Sequence, residues 1–363
     1  MIEYESLKKV NETYSEDFSK FFKDFVSKGW YVLGSEVSEF EINFSNYIGS
    51  QYCVGVANGL DALILSLKAL DLPKNAEVIV PSNTYIATIL SVIQAGYKPI
   101  LVEPDILTYN INPDLIESSI TPNTKAILIT HLYGKSCEMD PILEICEKYG
   151  LYLLEDCAQA HGAKYKGKMC GTFGILSSFS FYPTKNLGAL GDAGAILTDD
   201  LNLAEKLKAL RNYGSEKKYH NKYIGYNSRL DELQAGILNI KLKRLDEVNA
   251  KKNGLANTYF EYLNNKNIVL PVIEQSKFDV FHIFNIRTEK RNELKEYLFN
   301  NGVITEIHYP VPPHKQIGYN NIFNGAYPIS ELIHSTTLSL PISSYHTHDD
   351  VMKVCKLINS FNC

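Results

Sequence analysis

Lys185 lies in the segment SFSFYPTKNLGALGDAGA at 178–195, just past an apolar run and among Gly188, Gly191 and Gly194. Glycine permits tight turns and lets a ligand approach the backbone closely. A lone lysine in such a turn is ordinarily a solvated surface residue. Three features weigh against that here. Asp156 ends the apolar run 151–154. A carboxylate at a strand end faces a crevice, and it is what the pyridine nitrogen of pyridoxal phosphate (PLP) needs. The anion keeps that nitrogen protonated, so the ring can take electrons from a substrate carbon. The same aspartate could equally cap a helix in the segment that follows. The second feature is Val56-Ala57-Asn58-Gly59-Leu60-Asp61, which leads into the helical pattern 62–70. A glycine turn opening a helix offers free N–H groups and a positive dipole end to a phosphate; it is also how an ordinary capped helix begins. The third is Ser180, whose hydroxyl could join that phosphate, although a lone serine on a strand is usually structural.

These residues need a scaffold that brings them to one edge. From residue 53 onward, short apolar runs alternate with amphipathic stretches. The runs fall at 77–80, 98–102, 125–130, 151–154, 177–181 and 193–198. Each has strand length, and near-continuous apolar runs are what strands buried on both faces look like. The alternation predicts an α/β fold with a mainly parallel sheet. Ligands in such sheets sit beyond the carboxyl ends of the strands, where His131, Asp156 and 182–185 fall. Leu230, Leu233, Ile237, Ile240, Leu245 and Val248 recur at helical spacing. They predict one long helix running on through 251–263. It would connect a large domain, 1–245, to a smaller C-terminal α/β domain, 246–363. That second domain is expected to hold strands at 267–270, 282–287 and 303–308, with helices near 290–301 and 348–361. The first thirty residues read as an arm and a helix.

Composition narrows the function classes. The chain has 363 residues, 45% of them hydrophobic, so it can bury a large core. Its net charge of −5 comes from interspersed signs and argues against nucleic-acid binding, which wants a basic face. Seven cysteines, at 53, 137, 146, 157, 170, 355 and 363, are scattered without a CxxC pair. Neither a metal site nor a redox motif is indicated, and reduced, mostly buried thiols in a cytoplasmic protein are expected. Met-Ile-Glu-Tyr-Glu lacks the basic and apolar regions of a secretory leader. No apolar run approaches the roughly 20 residues of a membrane span.

The order phosphate turn, acid, lysine in a glycine turn resembles the large domain of fold-type I PLP enzymes. The chain is similar across essentially its whole length to the sugar aminotransferases of the DegT/DnrJ/EryC1/StrS family. The marks are LGSEVSEFE at 33–41, EVIVPSNTYIAT at 77–88, HLYG at 131–134, EDCAQAHGA at 155–163 and the lysine segment itself. RNYGS at 211–215, GYNSRLDELQA at 225–235 and HYPVPPH at 308–314 continue them. The resemblance implies that Lys185 is the Schiff-base lysine and Asp156 the pyridine-nitrogen partner. It puts Gln159 near the ring hydroxyl and Tyr85 against the ring face. It has Gly59, Leu60 and Ser180 hold the phosphate, and Asn227 reach it from the partner subunit of a homodimer with shared active sites. Many members carry a hydroxyl residue where Leu60 stands, so the phosphate here must lean on backbone N–H groups and Ser180. Tyr182, His308, Tyr309 and His161 are implied for the sugar pocket, and Tyr219 and Arg229 for the pyrophosphate, across the dimer interface.

The implied reaction moves an amino group from L-glutamate to a nucleotide-linked keto sugar. The stretch KNLGALGD at 185–192 resembles the branch acting at sugar C3. That branch implies a dTDP-3-keto-6-deoxyhexose substrate and a dTDP-3-amino-3,6-dideoxyhexose product, galacto or gluco, for O-antigen, S-layer glycan or antibiotic pathways. The alternatives are a C4 aminotransferase, a sugar dehydratase, in which His replaces the lysine, and a non-catalytic PLP-binding regulator.

Overall fold

The computed structural model describes residues 1–217 and 219–361; Cys363, among the thiols expected to be reduced, lies outside them. The apolar runs become strands β1 (Tyr52–Val56), β2 (Glu77–Pro81), β3 (Lys98–Val102), β4 (Thr124–Thr130), β5 (Tyr152–Asp156), β6 (Leu176–Ser180) and β7 (Gly194–Thr198). They form one sheet in the order β1-β7-β6-β5-β4-β2-β3. β3, β2, β4, β5 and β6 pair in parallel, and β7 runs antiparallel to both β6 and β1. β1 had no strand run of its own in the sequence.

Successive side chains on a strand point to opposite faces, and each face has its own core. Val78, Val80, Leu128 and Leu154 pack with helices Gly59–Ala69 and Ile86–Gln94. Ile79, Ile127, Ile129 and Leu153 pack with helix Met139–Tyr149. Phe179, Phe181 and Leu197 meet helices Ser35–Ile48 and Glu232–Leu242. Two of the sequence marks meet in a cap. The buried Glu232 carboxylate accepts the N–H groups of Gly34 (2.7 Å), Glu36 (3.0 Å) and Val37 (2.9 Å), closing the N-terminus of helix Ser35–Ile48.

The long helix expected over 230–263 is two. Glu232–Leu242 and Leu245–Tyr262 are separated at Lys243 and Arg244. Apolar spacing alone does not register such a break, because the facing periodicity resumes after it. Leu245 joins the core around Phe179, whereas Leu255, Ala256 and Tyr259 join a core with Phe284, Leu294, Leu338, Val351 and Ile2. There β8 (Phe284–Arg287) pairs antiparallel with β9 (Thr337–Leu340). The strand expected at 303–308 is reduced to isolated bridges, Val303 with Ile2 and Glu306 with Ser339; 267–270 keeps one bridge, Val269 with Arg287. β9 and helix Pro328–Thr336 went unread. Helices Arg291–Asn300 and His348–Ser360 stand where expected. No helix among the described residues is long and apolar enough to cross a membrane.

Candidate active site

The carboxyl ends of β1, β4, β5 and β6 open onto one cavity of about 440 Å³. Register explains the convergence. Thr130 pairs with Asp156, Asp156 with Ser178, and Gly194 with both Ser180 and Val56. Close approach at Gly194 is obligatory, since a Cβ there would lie 2.4 Å from the Asn58 carbonyl oxygen. Gly59 is equally confined; its Cβ would fall 2.5 Å from that of Ser180. The Asn58 side chain caps helix Gly59–Ala69 by accepting the Asp61 N–H at 2.8 Å. The first N–H groups of a helix have no intrahelical acceptor, and Gly59 and Leu60 sit in the cavity wall beside Ser180.

Lys185 stands in the loop between antiparallel β6 and β7, closed at its base by Phe181 N–H to Ala193 O (2.8 Å). Within the loop, Lys185 N–H donates to Tyr182 O at 2.8 Å. Asn186 and Gly188 anchor it: Asn186 Nδ2 donates to Asn249 Oδ1 and Val280 O, both at 2.9 Å, and Lys241 Nζ donates to Gly188 O at 2.5 Å. Burial lowers the Lys185 amine to about 8, with Asp156 pulling it back up. Asp156 accepts the Thr88 hydroxyl at 2.7 Å and the Ala158 N–H at 3.1 Å. Burial raises its carboxyl above the usual range, against the pull of those two bonds and of Lys185. The residues after Asp156 form turns, not a helix, so the capping alternative is not realised.

Gln159 is fixed at both ends of its amide. Its Oε1 accepts the Tyr133 N–H at 2.6 Å and its Nε2 donates to the Tyr309 hydroxyl at 3.1 Å. The rings of Tyr85 and Tyr309 are 5.1 Å apart. His308 Nδ1 pairs with Ser339 Oγ at 2.9 Å, and burial holds its imidazole down at about 4. Tyr182, His308 and Tyr309 line the cavity with Tyr85, Gln159 and Lys185.

Four expected residues are not in this wall. His161 is fully buried between Phe179 and Phe181, 5.6 Å from each ring. It is not among the residues that line this cavity. Asn227 is exposed on the strand-like pairing with Asn212. Arg229 donates to Asn212 Oδ1 at 2.9 Å and lies 5.4 Å over the Tyr213 ring. Tyr219 is 86% exposed. Among the lining residues that sequence reasoning did not assign, two are titratable: Asp192, in the glycine segment already singled out, and His282, whose Nε2 lies 3.4 Å from Lys185 Nζ. His282 sat at the start of an expected strand, which gives no sign of a side chain aimed at a distant lysine.

Residues 12–359 match the DegT/DnrJ/EryC1/StrS aminotransferase family. The chain is 50% identical, over 99% of both lengths, to the dTDP-3-amino-3,6-dideoxy-alpha-D-galactopyranose transaminase of Aneurinibacillus thermoaerophilus. Among solved structures it is similar to S. venezuelae DesV, crystallised in complex with a ketimine intermediate, with a TM-score of 0.95, 41% identity and 98% and 96% of the two chains covered. It is also similar to NtdA from Bacillus subtilis, crystallised with bound cofactor PMP, with a TM-score of 0.91, 32% identity and 98% and 84% covered. The chain therefore belongs to the DegT/DnrJ/EryC1/StrS aminotransferase family and is an enzyme of the fold-type I aminotransferase architecture.

Proposed function

We propose that this enzyme uses PLP, carried on Lys185, to move an amino group from L-glutamate to C3 of a dTDP-linked 3-keto-6-deoxyhexose. The products are 2-oxoglutarate and a dTDP-3-amino-3,6-dideoxyhexose, in the galacto configuration. The observation that carries this reading is the end-to-end 50% identity to a transaminase named for that galacto sugar. The KNLGALGD stretch at 185–192 supports C3 over C4.

The donors and acceptors present fit PLP. Gly59 and Leu60 offer N–H groups, and Ser180 a hydroxyl, in a cradle that a Cβ at residue 59 would fill. Asp156 presents a buried carboxylate and Lys185 an amine in the same cavity. When bound, PLP supplies an electron sink for the pair left behind as the donor's α-C–H bond breaks. Asp156 would hold the ring-nitrogen proton, Gln159 would meet the ring hydroxyl, and Tyr85 would cover a ring face. The Lys185 amine would be the group in this cavity that takes and returns the proton of the donor's α-carbon. An amine near 8 is partly neutral at physiological pH and can take that proton. Tyr182, His308 and Tyr309 stand where the sugar would enter.

Asn227, Tyr219 and Arg229 lie outside this chain's own cavity, which supports a homodimer in which they serve the partner's site. The six described cysteines, all free and buried, support a reducing, cytoplasmic setting. The test is amination of matched 3-keto and 4-keto dTDP-6-deoxyhexoses with glutamate, read by NMR of the products. Preference for the 4-keto sugar would refute the C3 assignment. Dimer sharing is tested by mixing Lys185→Ala with an Asn227 variant that blocks the phosphate site. Mixed dimers should regain up to about half of wild-type activity if the sites are shared and independent; exchanged dimers that stay inactive would contradict sharing.

A further inference from the structure

We infer that His282 is a positioning residue for Lys185: its Nε2 accepts a hydrogen bond from the lysine amine once that amine is free, and holds it beside the reacting carbon. The inference rests on Lys185 being the proton carrier and assigns how that carrier is aimed.

Several observations converge on it. His282 Nε2 is 3.4 Å from Lys185 Nζ, and both side chains line the cavity. A lysine ammonium is a donor only, so the nitrogen facing it must be unprotonated. The imidazole proton then belongs on Nδ1, which is sealed from solvent and has no hydrogen-bond partner among the described residues. Among the described residues the ring's one hydrogen-bond contact is Lys185, and its main chain is firmly held. Lys252 Nζ donates to the His282 carbonyl at 3.2 Å and to Asn186 Oδ1 at 3.0 Å. Asn186 Nδ2 in turn donates to Val280 O at 2.9 Å. One buried ammonium and one amide thus tie the lysine's chain neighbour to both flanks of His282. They fix the separation of two residues far apart in sequence. Phe281, immediately before His282, takes a φ of 43°, a left-handed conformation uncommon for an aromatic residue.

The surroundings keep the imidazole an acceptor. Burial, then the positive charges of Lys185 and Lys252, hold His282 well below the usual histidine range, with His308 and His161 adding to the same effect. Asp156 lines the same cavity, and its charge favours the protonated lysine. His282 therefore neither gains nor loses a proton in the cycle. When Lys185 takes the proton from the α-carbon, the new ammonium has an acceptor waiting, and it gives the proton back from a defined place. A free amine on a four-carbon stem has many rotamers, and holding it near the carbon is where proximity accelerates transfer.

Three substitutions separate aiming from mere support. His282→Gln can place an amide oxygen near the Nε2 position. His282→Asn is polar but too short to reach Lys185, and His282→Leu offers no acceptor. The first measurement uses cofactor-free protein and isotopic acylation of Lys185 across pH, mapped by mass spectrometry. Wild-type Lys185 should become half-reactive near pH 8. Losing an acceptor destabilises the ammonium, so Asn and Leu should shift the midpoint down by about one pH unit, with Gln close to wild type. The second measurement is the single-turnover rate of the glutamate half-reaction in loaded enzyme. Asn and Leu should lose about tenfold in rate with little change in KM for glutamate, and Gln should recover most of it. Equal behaviour of Asn and Gln in both measurements would overturn the inference. So would a Lys185 titration that none of the three moves. If borohydride labels a lysine other than Lys185 in the wild type, the carrier assignment falls first and the His282 inference with it. A label on Lys185 with an unmoved titration removes His282 alone.

Discussion

Glu155 and Asp156 are neighbours on β5 and point to opposite faces of the sheet. Both are buried. The Glu155 carboxylate accepts four hydrogen bonds: His131 Nε2 at 2.9 Å, and the N–H groups of Gly171 (2.8 Å), Phe173 (2.7 Å) and Gly174 (2.6 Å). Burial works against its charge, but His131 and those backbone donors hold its carboxyl below the usual range. His131 Nδ1 takes the Cys137 N–H at 3.0 Å, so its proton sits on the Nε2 that faces Glu155. Asp156 accepts only two hydrogen bonds, and burial raises its carboxyl. A carboxylate has about four acceptor sites. Glu155 has filled them with its own chain, and Asp156 keeps capacity turned to the cavity. Buried charge does not by itself mark a working residue; an unfilled valence facing open space does.

The lysines repeat the contrast. Burial lowers Lys185, Lys241 and Lys252 alike to about 8. Lys241 is committed to Gly188 O and Asn11 Oδ1, and Lys252 to Asn186 Oδ1 and the His282 carbonyl. Of the three, only Lys185 lines the cavity with Asp156. His131, Glu155 and Cys157 bring ligand-type atoms within 4.8 Å of one another. The His131 and Glu155 donors and acceptors are already taken up by the chain, which makes this cluster a structural pin.

The sharpest break of the comparison is Lys185→Ala. Loss of a general acid–base group should cut turnover by about 10²–10⁴-fold, measured as 2-oxoglutarate release, while the fold persists. It also carries a pH signature. Lys185 titrates near 8 in the fold and near the ordinary 10.5 when unfolded. The unfolded chain binds more protons between those values, so the burial penalty is complete below pH 8 and is relieved toward 10.5. Wild type should gain stability over Lys185→Ala across that window, seen in urea midpoints. Next is Asp156→Asn, expected to lose at least about tenfold in single-turnover rate with stability nearly unchanged, since a charge-assisted bond is worth about 1.5–3 kcal/mol. Its mirror is Glu155→Gln. The amide loses acceptor sites facing buried N–H groups and should cost about 1–3 kcal/mol per unsatisfied group in chemical denaturation. Residual folded enzyme should turn over normally. If Glu155→Gln slows chemistry and Asp156→Asn unfolds the chain, the comparison is inverted. The smallest effect is Ser180→Ala, which should weaken PLP binding by about tenfold, the low end for one hydrogen bond to a charged phosphate, read by spectroscopic titration.

Six of the sheet's seven strands were legible because they are largely buried on both faces, so apolar runs and strands coincide to within a residue or two, whereas β1 left no run that was read. The small C-terminal core was legible in its helices and much less in its strands. β9 follows a helix directly, and 303–308 contributes single bridges that leave no alternating pattern. The helix break at Lys243 and Arg244 hides because apolar spacing resumes beyond it. At the site, Lys185, Asp156, Gly59 and Ser180 were visible because each lies at a strand end or a glycine turn. His282 was invisible because its meaning comes from Lys252 and Asn186, which tie together distant parts of the chain. Asn227, Tyr219 and Arg229 do not line the cavity, and nothing in their spacing along the chain shows that they lie away from it.

Burial lowers three lysine amines equally, but Lys185 alone of the three lines the cavity, which makes it the expected cofactor lysine. Borohydride reduction of the PLP-loaded enzyme, followed by peptide mapping, tests it directly. A single pyridoxyl label on Lys185 is expected, with Lys241 and Lys252 unmodified despite their equally lowered amines. A label on Lys252 or Lys241 would contradict it.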